Sequence, residues 1–175
     1  MFFLKSNDQL LLNNLKEILM VNGYNITTDG HEKYYLSIDL SIQNSKIILK
    51  NNTEQVSVSI PTNQSLVVSC FKNFLSNFNV SFKDLHYYPI MQKLFYQEKT
   101  LNIANIQHQI MDLLFLYLNK GIDKKILYTK IWPRDKNIYY NKLDTHLTNL
   151  KNNLKKHLNY TIKISTNKST IKMES

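Results

Sequence analysis

The chain has 175 residues, of which 43% are apolar, a fraction that supports packed cores and argues against global disorder. A single cysteine, Cys70, excludes an internal disulfide, and we expect it to be a small buried side chain. The net charge of +9 lies entirely in residues 81–175, because the first 80 residues are balanced, and this predicts a polyanionic partner for the basic half.

The N-terminal half opens with a short apolar run, Met1–Leu4, and a helix that Asp8 can cap. Leucines and Ile18 recur at helical spacing until a stop near Asn22-Gly23, and Tyr24–Thr27 is typical of a strand. The apolar run is interrupted by charged residues and has no cleavage pattern. We therefore expect neither a signal peptide nor a membrane span, and a cytoplasmic protein.

Three more elements are predicted before residue 80. Lys46–Leu49 has the pattern of a central buried strand, and Gln55–Pro61 alternates like another strand. Leu66–Phe78 is predicted to be a closing helix with an apolar side. That side comprises Val67, Cys70, Phe71, Phe74 and Leu75.

The opening segment, FFLKSNDQLLLNNLKEILMVNGYNI, resembles the start of a response-regulator receiver domain. Residues 1–79 are therefore predicted to form a shortened, receiver-like α/β domain. The resemblance implies a Mg²⁺-binding acidic cluster after the first strand, a phosphoacceptor aspartate ending the central strand, and a lysine before a proline in the last strand. The residues at those positions are Ser6-Asn7-Asp8, then Lys50 or Asn51, then Ile60 before Pro61.

These replacements predict that the domain is not phosphorylated on aspartate. Lys50 could mimic an occupied cation site or be a plain surface lysine, and the second interpretation is favoured. The remaining role of residues 1–79 would be structural, or would be to form a homodimer, through the closing helix.

The C-terminal half, residues 80–175, is predicted to be a winged helix-turn-helix. Its predicted elements are a small antiparallel sheet over Asn79–Leu101, a helix from about Asn105 to before Gly121, a second helix capped by Asp123, a third helix over Asn141–Leu158, and strands at Tyr160–Ser165 and Ser169–Met173. In the second helix we expect Ile126, Leu127 and Ile131-Trp132 to face the core.

The third helix has two contrasting sides. Five leucines at positions 143, 147, 150, 154 and 158 mark a buried stripe, and the other side is polar and basic with one acidic residue, Asp144. Such a helix is buried along one face and can be offered to DNA along the other.

Asp123, Ile131-Trp132-Pro133 and Asn141-Lys142-Leu143-Asp144-Thr145-His146-Leu147 together resemble the OmpR/PhoB-type winged-helix DNA-binding domain. The resemblance implies a DNA-contacting role for eight residues, and the polar side of the third helix adds three more. Thr145, Thr148, Asn149 and Lys151 would face the major groove, Trp132, Asn141 and Lys142 would touch phosphates, Lys168 would lie at the wing tip, and His146, Asn152 and Lys155 would complete the surface.

Several of these residues have an alternative interpretation. His146 is favoured as a packing residue, Trp132 as mainly core, and Lys155 with Lys156 as a solvated face that adds charge without specific contacts. Positions 149 and 151 are usually arginine in the family. Because an asparagine amide pairs well with adenine, Asn149 predicts a site that leans towards A·T pairs.

The sequence thus predicts a sequence-specific, double-stranded DNA-binding transcription regulator that acts without phosphorylation. The alternative is a winged helix that binds a protein of the transcription machinery, with RNA polymerase as one possible partner. No motif indicates a cofactor, a metal site or an enzyme.

Overall fold

The computed structural model describes residues 1–60 and 62–174 of the chain. The chain divides into two compact units, Met1–Asn77 (unit 1) and Phe78–Ser175 (unit 2). The described residues form five α-helices and three β-sheets, so the fold is mixed α/β.

Unit 1 contains one five-stranded sheet and two helices. Its elements are β1 (Phe2–Ser6), α1 (Gln9–Val21), β2 (Ile26–Thr27), β3 (Leu36–Gln43), β4 (Lys46–Lys50), β5 (Gln55–Ser59) and α2 (Gln64–Phe74). The strand order is β2-β1-β3-β4-β5, which is the 2-1-3-4-5 order of a doubly wound α/β sheet. Strands β1, β2 and β3 are parallel, whereas β4 and β5 follow as antiparallel hairpins.

The topology corrects the prediction for the central strand. The middle of the sheet is β3, and β4 (KIILK), although buried, runs antiparallel to it. The central parallel strand, β3, therefore ends at Gln43. The phosphoacceptor position assigned to Lys50 or Asn51 was on the wrong strand. Lys50 instead lies opposite Asp39, which forms an ion pair of 3.0 Å with Lys5.

The two helices of unit 1 begin as their caps dictate. Asp8 and Asn63 each accept a hydrogen bond from a backbone N–H of the first turn of α1 and α2. Phe71 of α2 packs edge-on against Phe2 of β1, which places α2 on one face of the sheet. Cys70 is only half-buried, contrary to prediction, because it faces a groove between α2 and the edge strand β5.

Three predicted boundaries in unit 1 were too generous. The strand predicted at Tyr24–Thr27 covers only Ile26–Thr27, and α2 ends at Phe74 instead of Phe78. The strand predicted at Gln55–Pro61 ends at Ser59, and Pro61 lies outside the described residues.

Unit 2 contains an antiparallel four-stranded sheet, three helices and a hairpin. Its elements are β6 (Val80–Phe82), β7 (Leu85–Tyr88), β8 (Lys93–Tyr96), β9 (Lys99–Asn102), α3 (Asn105–Leu116), β10 (Ile122–Asp123), α4 (Lys124–Ile131), α5 (Tyr140–Asn153), β11 (Lys163–Asn167) and β12 (Thr170–Glu174). This element order confirms the predicted sheet, three helices and terminal hairpin. Strand β10 was not predicted, and it pairs with β12 to make a three-stranded sheet.

Two features of unit 2 differ from expectation. Ile126 was assigned to the core side of α4, but its side chain is 48% exposed. The helix predicted over Asn141–Leu158 is α-helical only to Asn153 and finishes in one π-helical turn, Leu154–Leu158. Left-handed Asn159 ends this turn, and the wider turn keeps both Leu154 and Leu158 fully buried.

Candidate nucleic-acid interface

The outward face of α5 is the centre of the candidate interface. With about 100° between successive residues, Leu143, Leu147 and Leu150 fall on one side of the helix, and all three are buried. The opposite side, continued through the π-helical turn Leu154–Leu158, presents seven exposed residues. These outer-face residues are Asn141, Thr145, Thr148, Asn149, Asn152, Lys155 and Lys156.

Most of the outer face is uncommitted. Thr145 donates its hydroxyl to the carbonyl of Asn141 at 2.8 Å, a bond within the helix. Within residues 1–60 and 62–174, no hydrogen bond or ion pair engages the side chains of Thr148, Asn149 or Asn152. The first three turns therefore offer hydroxyl and amide groups to a ligand, and the two free lysines lie only at the C-terminal end.

Lys142, predicted to touch a phosphate, is already engaged at the flank of this face. Its ammonium lies 3.0 Å from Oδ2 of Asp135 and 4.4 Å from the centroid of the Trp132 ring. The same Asp135 oxygen accepts a hydrogen bond of 2.6 Å from the Tyr128 hydroxyl. These bonds hold the pKa of Asp135 below its usual value, the Tyr128 bond first and Lys142 second.

Trp132 and His146 pack against each other beside this ion pair, with their rings tilted by 38°. The indole and imidazole centroids are 5.5 Å apart, and both side chains are half-buried. Trp132 also packs against the Tyr128 ring at 4.7 Å. The geometry is that of two residues packed between α4 and α5, each with an edge left accessible to solvent.

Asp144, the one acidic residue on α5, is neutralised from α4. Its carboxylate lies 2.7 Å from the ammonium of Lys124, whose side chain also lies 5.0 Å from the ring centroid of Tyr140. Two lysines that flank the N-terminal half of α5 are thus paired with carboxylates, so this part of the surface has little net charge.

Lys151 does not point outwards with the other predicted groove residues. Its ammonium donates to the carbonyl of Ile164 in β11 at 3.1 Å, and the side chain is half-buried. Two residues further on, Asn153 donates to Gln107 of α3 at 3.2 Å. Both residues fasten α5 to its neighbours.

The hairpin turn is pinned to the start of α4. Lys168 is exposed at the tip with φ +54°, and Ser169 accepts a backbone hydrogen bond of 2.7 Å from Lys124. The Ser169 hydroxyl also bonds to Asp123, which is the main reason that the pKa of this carboxyl is lowered. The tip lysine is consequently held near the N-terminus of α4.

The structure thus brings Asn141, Thr145, Thr148, Asn149, Asn152 and Lys155 together on one face, with Lys142, Trp132 and His146 on its flank. Lys151 is directed elsewhere. Sequence reasoning missed Tyr128, Asp135 and Lys124, whose side chains fix the loop and the helix flank. The only signal that the sequence offers for these contacts is charge, because Asp135 and Asp144 are isolated acidic residues in a basic stretch.

Comparisons with solved structures find similar chains at low sequence identity. The response regulator DrrB of Thermotoga maritima, an OmpR/PhoB homologue, is 15% identical over all of both chains, with a TM-score of 0.48. The DNA-binding domain of E. coli CpxR is 16% identical and covers 55% of this chain and 96% of its own, with a TM-score of 0.47.

The C-terminal domain of the nisin resistance regulator NsrR, a lantibiotic response regulator, is 20% identical and covers 53% of this chain and 93% of its own, with a TM-score of 0.42. The sequence predicted a resemblance to OmpR/PhoB-type regulators, and solved structures of that type are among those similar to this chain. No family model and no curated protein matches the sequence.

In the described ranges, 1–60 and 62–174, none of the helices combines the length and the apolar character needed to cross a membrane.

Proposed function

We propose that unit 2 binds double-stranded DNA with sequence preference and that the chain is a transcription regulator acting without aspartyl phosphorylation. One observation carries the proposal: the outer face of α5 presents uncommitted hydroxyl, amide and lysine side chains directly opposite its buried leucines. A helix of this kind fits the major groove, where amide and hydroxyl groups can read base edges.

The division of charge agrees with this proposal. Residues 81–175 carry the whole excess of +9, and lysines at the end of α5 and at the hairpin tip, Lys155, Lys156 and Lys168, are exposed. In the proposed complex α5 enters the major groove, the hairpin lies over the minor groove, and these lysines contact phosphates and release counterions.

A salt titration tests the proposal. Binding of a fluorescent mixed-sequence duplex is measured by anisotropy between 50 and 200 mM salt, about the range over which phosphate contacts weaken strongly. We expect affinity to fall steeply and linearly on a double-logarithmic plot. Absence of binding at about 50 mM salt contradicts DNA binding.

The alternative function, a protein-interaction module, is favoured by one observation. Ile126, Tyr139 and Tyr140 are 48%, 56% and 41% exposed around α4 and the start of α5, and exposed tyrosines are frequent in protein interfaces. If the duplex does not bind, a subunit of the transcription machinery is the partner to test.

The environments of its carboxylates support a phosphorylation-independent role for unit 1. Asp8 is used as the N-cap of α1 and Asp39 is paired with Lys5, while Gln43 and Asn44 stand at the end of β3. We expect no label on the protein after treatment with acetyl phosphate. Labelling that is lost in Asp39→Asn would show that a working phosphoacceptor exists.

Unit 1 is also proposed to form a homodimer. The edge strand β5 and α2 border a groove of about 590 Å³ in which Leu66 is 53% exposed and Val56 and Cys70 contribute apolar surface. Unit 1 has no net charge, so two copies do not repel each other. Light scattering should give a dimer that Leu66→Glu converts to a monomer; a monomeric parent protein, free and on DNA, refutes the idea.

A further inference from the structure

The loop between α4 and α5 contains a carboxylate at the edge of the proposed DNA surface. Oδ2 of Asp135 accepts from the Tyr128 hydroxyl at 2.6 Å and faces the Lys142 ammonium at 3.0 Å. The Tyr128 hydroxyl is also hydrogen bonded to the backbone of Tyr139, one residue before α5 begins. Asp135 is therefore held by the Tyr128 hydroxyl, which itself bonds to the end of the loop. On its other side it is paired with Lys142 of α5.

Lys142 is correspondingly held at a defined place. Its ammonium is 4.4 Å from the Trp132 ring centroid, and the side chains of Lys142 and Asp135 are 39% and 28% exposed. An ammonium that contacts both a carboxylate and an indole face is partly neutralised but still reachable by solvent. A DNA phosphate can reach this lysine only in competition with Asp135.

The position of Lys142 makes this competition relevant. It follows Asn141, the first outer-face residue of α5, and lies about 100° around the helix from it. Lysines 155 and 156, the free cations at the end of the helix, are about four turns further on. Lys142 is thus the cation of α5 nearest to the N-terminal edge of the face.

We infer that Asp135 is a positioning residue that occupies Lys142 in the free protein and must give it up to a backbone phosphate when DNA binds. This inference rests on the proposed DNA binding and specifies how it is restrained. Because the Tyr128 bond keeps the carboxylate in place, the bound complex retains a negative charge beside a phosphate. The restraint applies to every duplex alike, since phosphate contacts carry no sequence information.

A charge-matched comparison tests the inference. Asp135→Asn removes the charge but keeps an oxygen that can accept from Tyr128. Glu98→Gln, in the turn between β8 and β9, removes the same charge elsewhere in unit 2. Lys142→Met and the double variant Asp135→Asn/Lys142→Met complete a cycle that isolates the coupling between the two residues.

Binding of the mixed-sequence duplex is measured for all of these proteins between 50 and 200 mM salt, about the range used for phosphate contacts. We expect Asp135→Asn to bind roughly two- to five-fold more tightly than the parent protein, as for one surface ion pair. Its salt dependence should steepen by up to about 0.9 in logarithmic slope, because in the parent complex the vacated Asp135 carboxylate takes up a cation and so offsets the counterion released at one phosphate. The Lys142→Met background should reduce both gains, and Glu98→Gln should stay near the parent.

Asp135→Ser serves as a second variant, because a serine hydroxyl is too short to bridge Tyr128 and Lys142, and it should reproduce the gain. The inference is overturned if either Asp135 variant binds with the parent slope, or if the gain is as large in the Lys142→Met background as in the parent. A purely structural role would weaken binding without changing the slope. If the parent and both Asp135 variants all fail to bind the duplex, the proposed function is overturned as well, which separates the two failures.

Discussion

Lysines of α5 and of the π-helical turn after it have different surroundings, although a helical projection treats them as similar. Lys155 and Lys156 are exposed, whereas Lys142 is paired with Asp135 and Lys151 bonds to a carbonyl of the hairpin. A phosphate can therefore be contacted freely at the end of the helix but only by exchange at its start. Between these points the face offers amides and hydroxyls, and Asn149 is the residue that we predict to read a base.

Asn149→Ala should relax the preference at one base pair and cost roughly 1–3 kcal/mol there, because the amide can both donate to and accept from adenine. The measurement is a selection from a random duplex library followed by competition binding with the parent and the variant. Lys168→Ala is the matched control, since a tip lysine that touches a phosphate should weaken all sequences equally. Equal loss from both changes would show that α5 reads no bases.

The helix face could be predicted from the sequence because 3.6-residue periodicity fixes which side of a helix is buried. The partners of its lysines could not. Asp135 is seven residues before Lys142 in a loop whose path depends on Tyr128, and the partner of Lys151 is a backbone oxygen with no residue-type signal. Local spacing specifies a face, whereas contacts between elements depend on the tertiary fold.

At the scale of elements, the hairpin is fastened at its tip and along β12. Ser169 bonds to the start of α4, and β10 pairs with β12 at Ile122 and Asp123. Gly121, immediately before β10, has φ +73°, and a Cβ there would lie 2.7 Å from the Thr170 side chain and 2.9 Å from the Ile171 carbonyl. The close approach of β10 to β12 thus needs a residue without a side chain.

Gly121→Ala should destabilise unit 2 by about 1–3 kcal/mol, because it adds both a disfavoured φ and a steric clash. Gly23→Ala is the natural comparison: φ is +85°, but no atom lies within 4 Å of a Cβ at this position. Urea unfolding followed by circular dichroism should show the larger loss for Gly121. Similar losses at both glycines would mean that the β10–β12 contact relaxes without cost.

The two strands that were not predicted from the sequence, β3 and β10, were missed for different reasons. Strand β3, LSIDLSIQ, alternates apolar and polar residues along its whole length, so its signal was present and was overlooked. Strand β10 is only two residues long and exists because β12 pairs with it, which no local pattern encodes. Ile126 was misplaced because α4 has eight residues, too few for its apolar side to be defined by spacing alone.

At the scale of the whole molecule, a neutral unit and a basic unit are joined in one chain, and their stabilities can be followed separately. Trp132 is the single tryptophan and belongs to unit 2, so its fluorescence reports the unfolding of that unit. Unit 2 also contains a buried polar cluster between α3 and β7, in which the Tyr87 hydroxyl lies 2.7 Å from Nδ1 of His108 and 3.5 Å from Asp112.

This cluster predicts how the stability of unit 2 depends on pH. Burial lowers the pKa of His108, and the nearby Asp112 carboxylate only partly offsets the effect. The unfolded chain therefore binds a proton near the ordinary histidine pKa of about 6.5 before the folded chain does. The free energy of unfolding should be constant above that value, fall as pH drops below it, and level off once the folded histidine is protonated.

Trp132-detected urea unfolding between pH 7.5 and pH 5 should show this loss, with a slope of at most about 1.4 kcal/mol per pH unit for one proton. Hydrogen bonds lower the pKa values of three paired carboxyls, Asp123, Asp135 and Glu174. These carboxyls contribute to the loss of stability only at more acidic pH, because their stabilisation is lost as pH falls through the carboxylate range. His108→Gln should flatten the profile above pH 5, whereas His157→Gln, at an exposed position of the same unit, should not. An unchanged profile in His108→Gln would show that other groups control the acid sensitivity of unit 2.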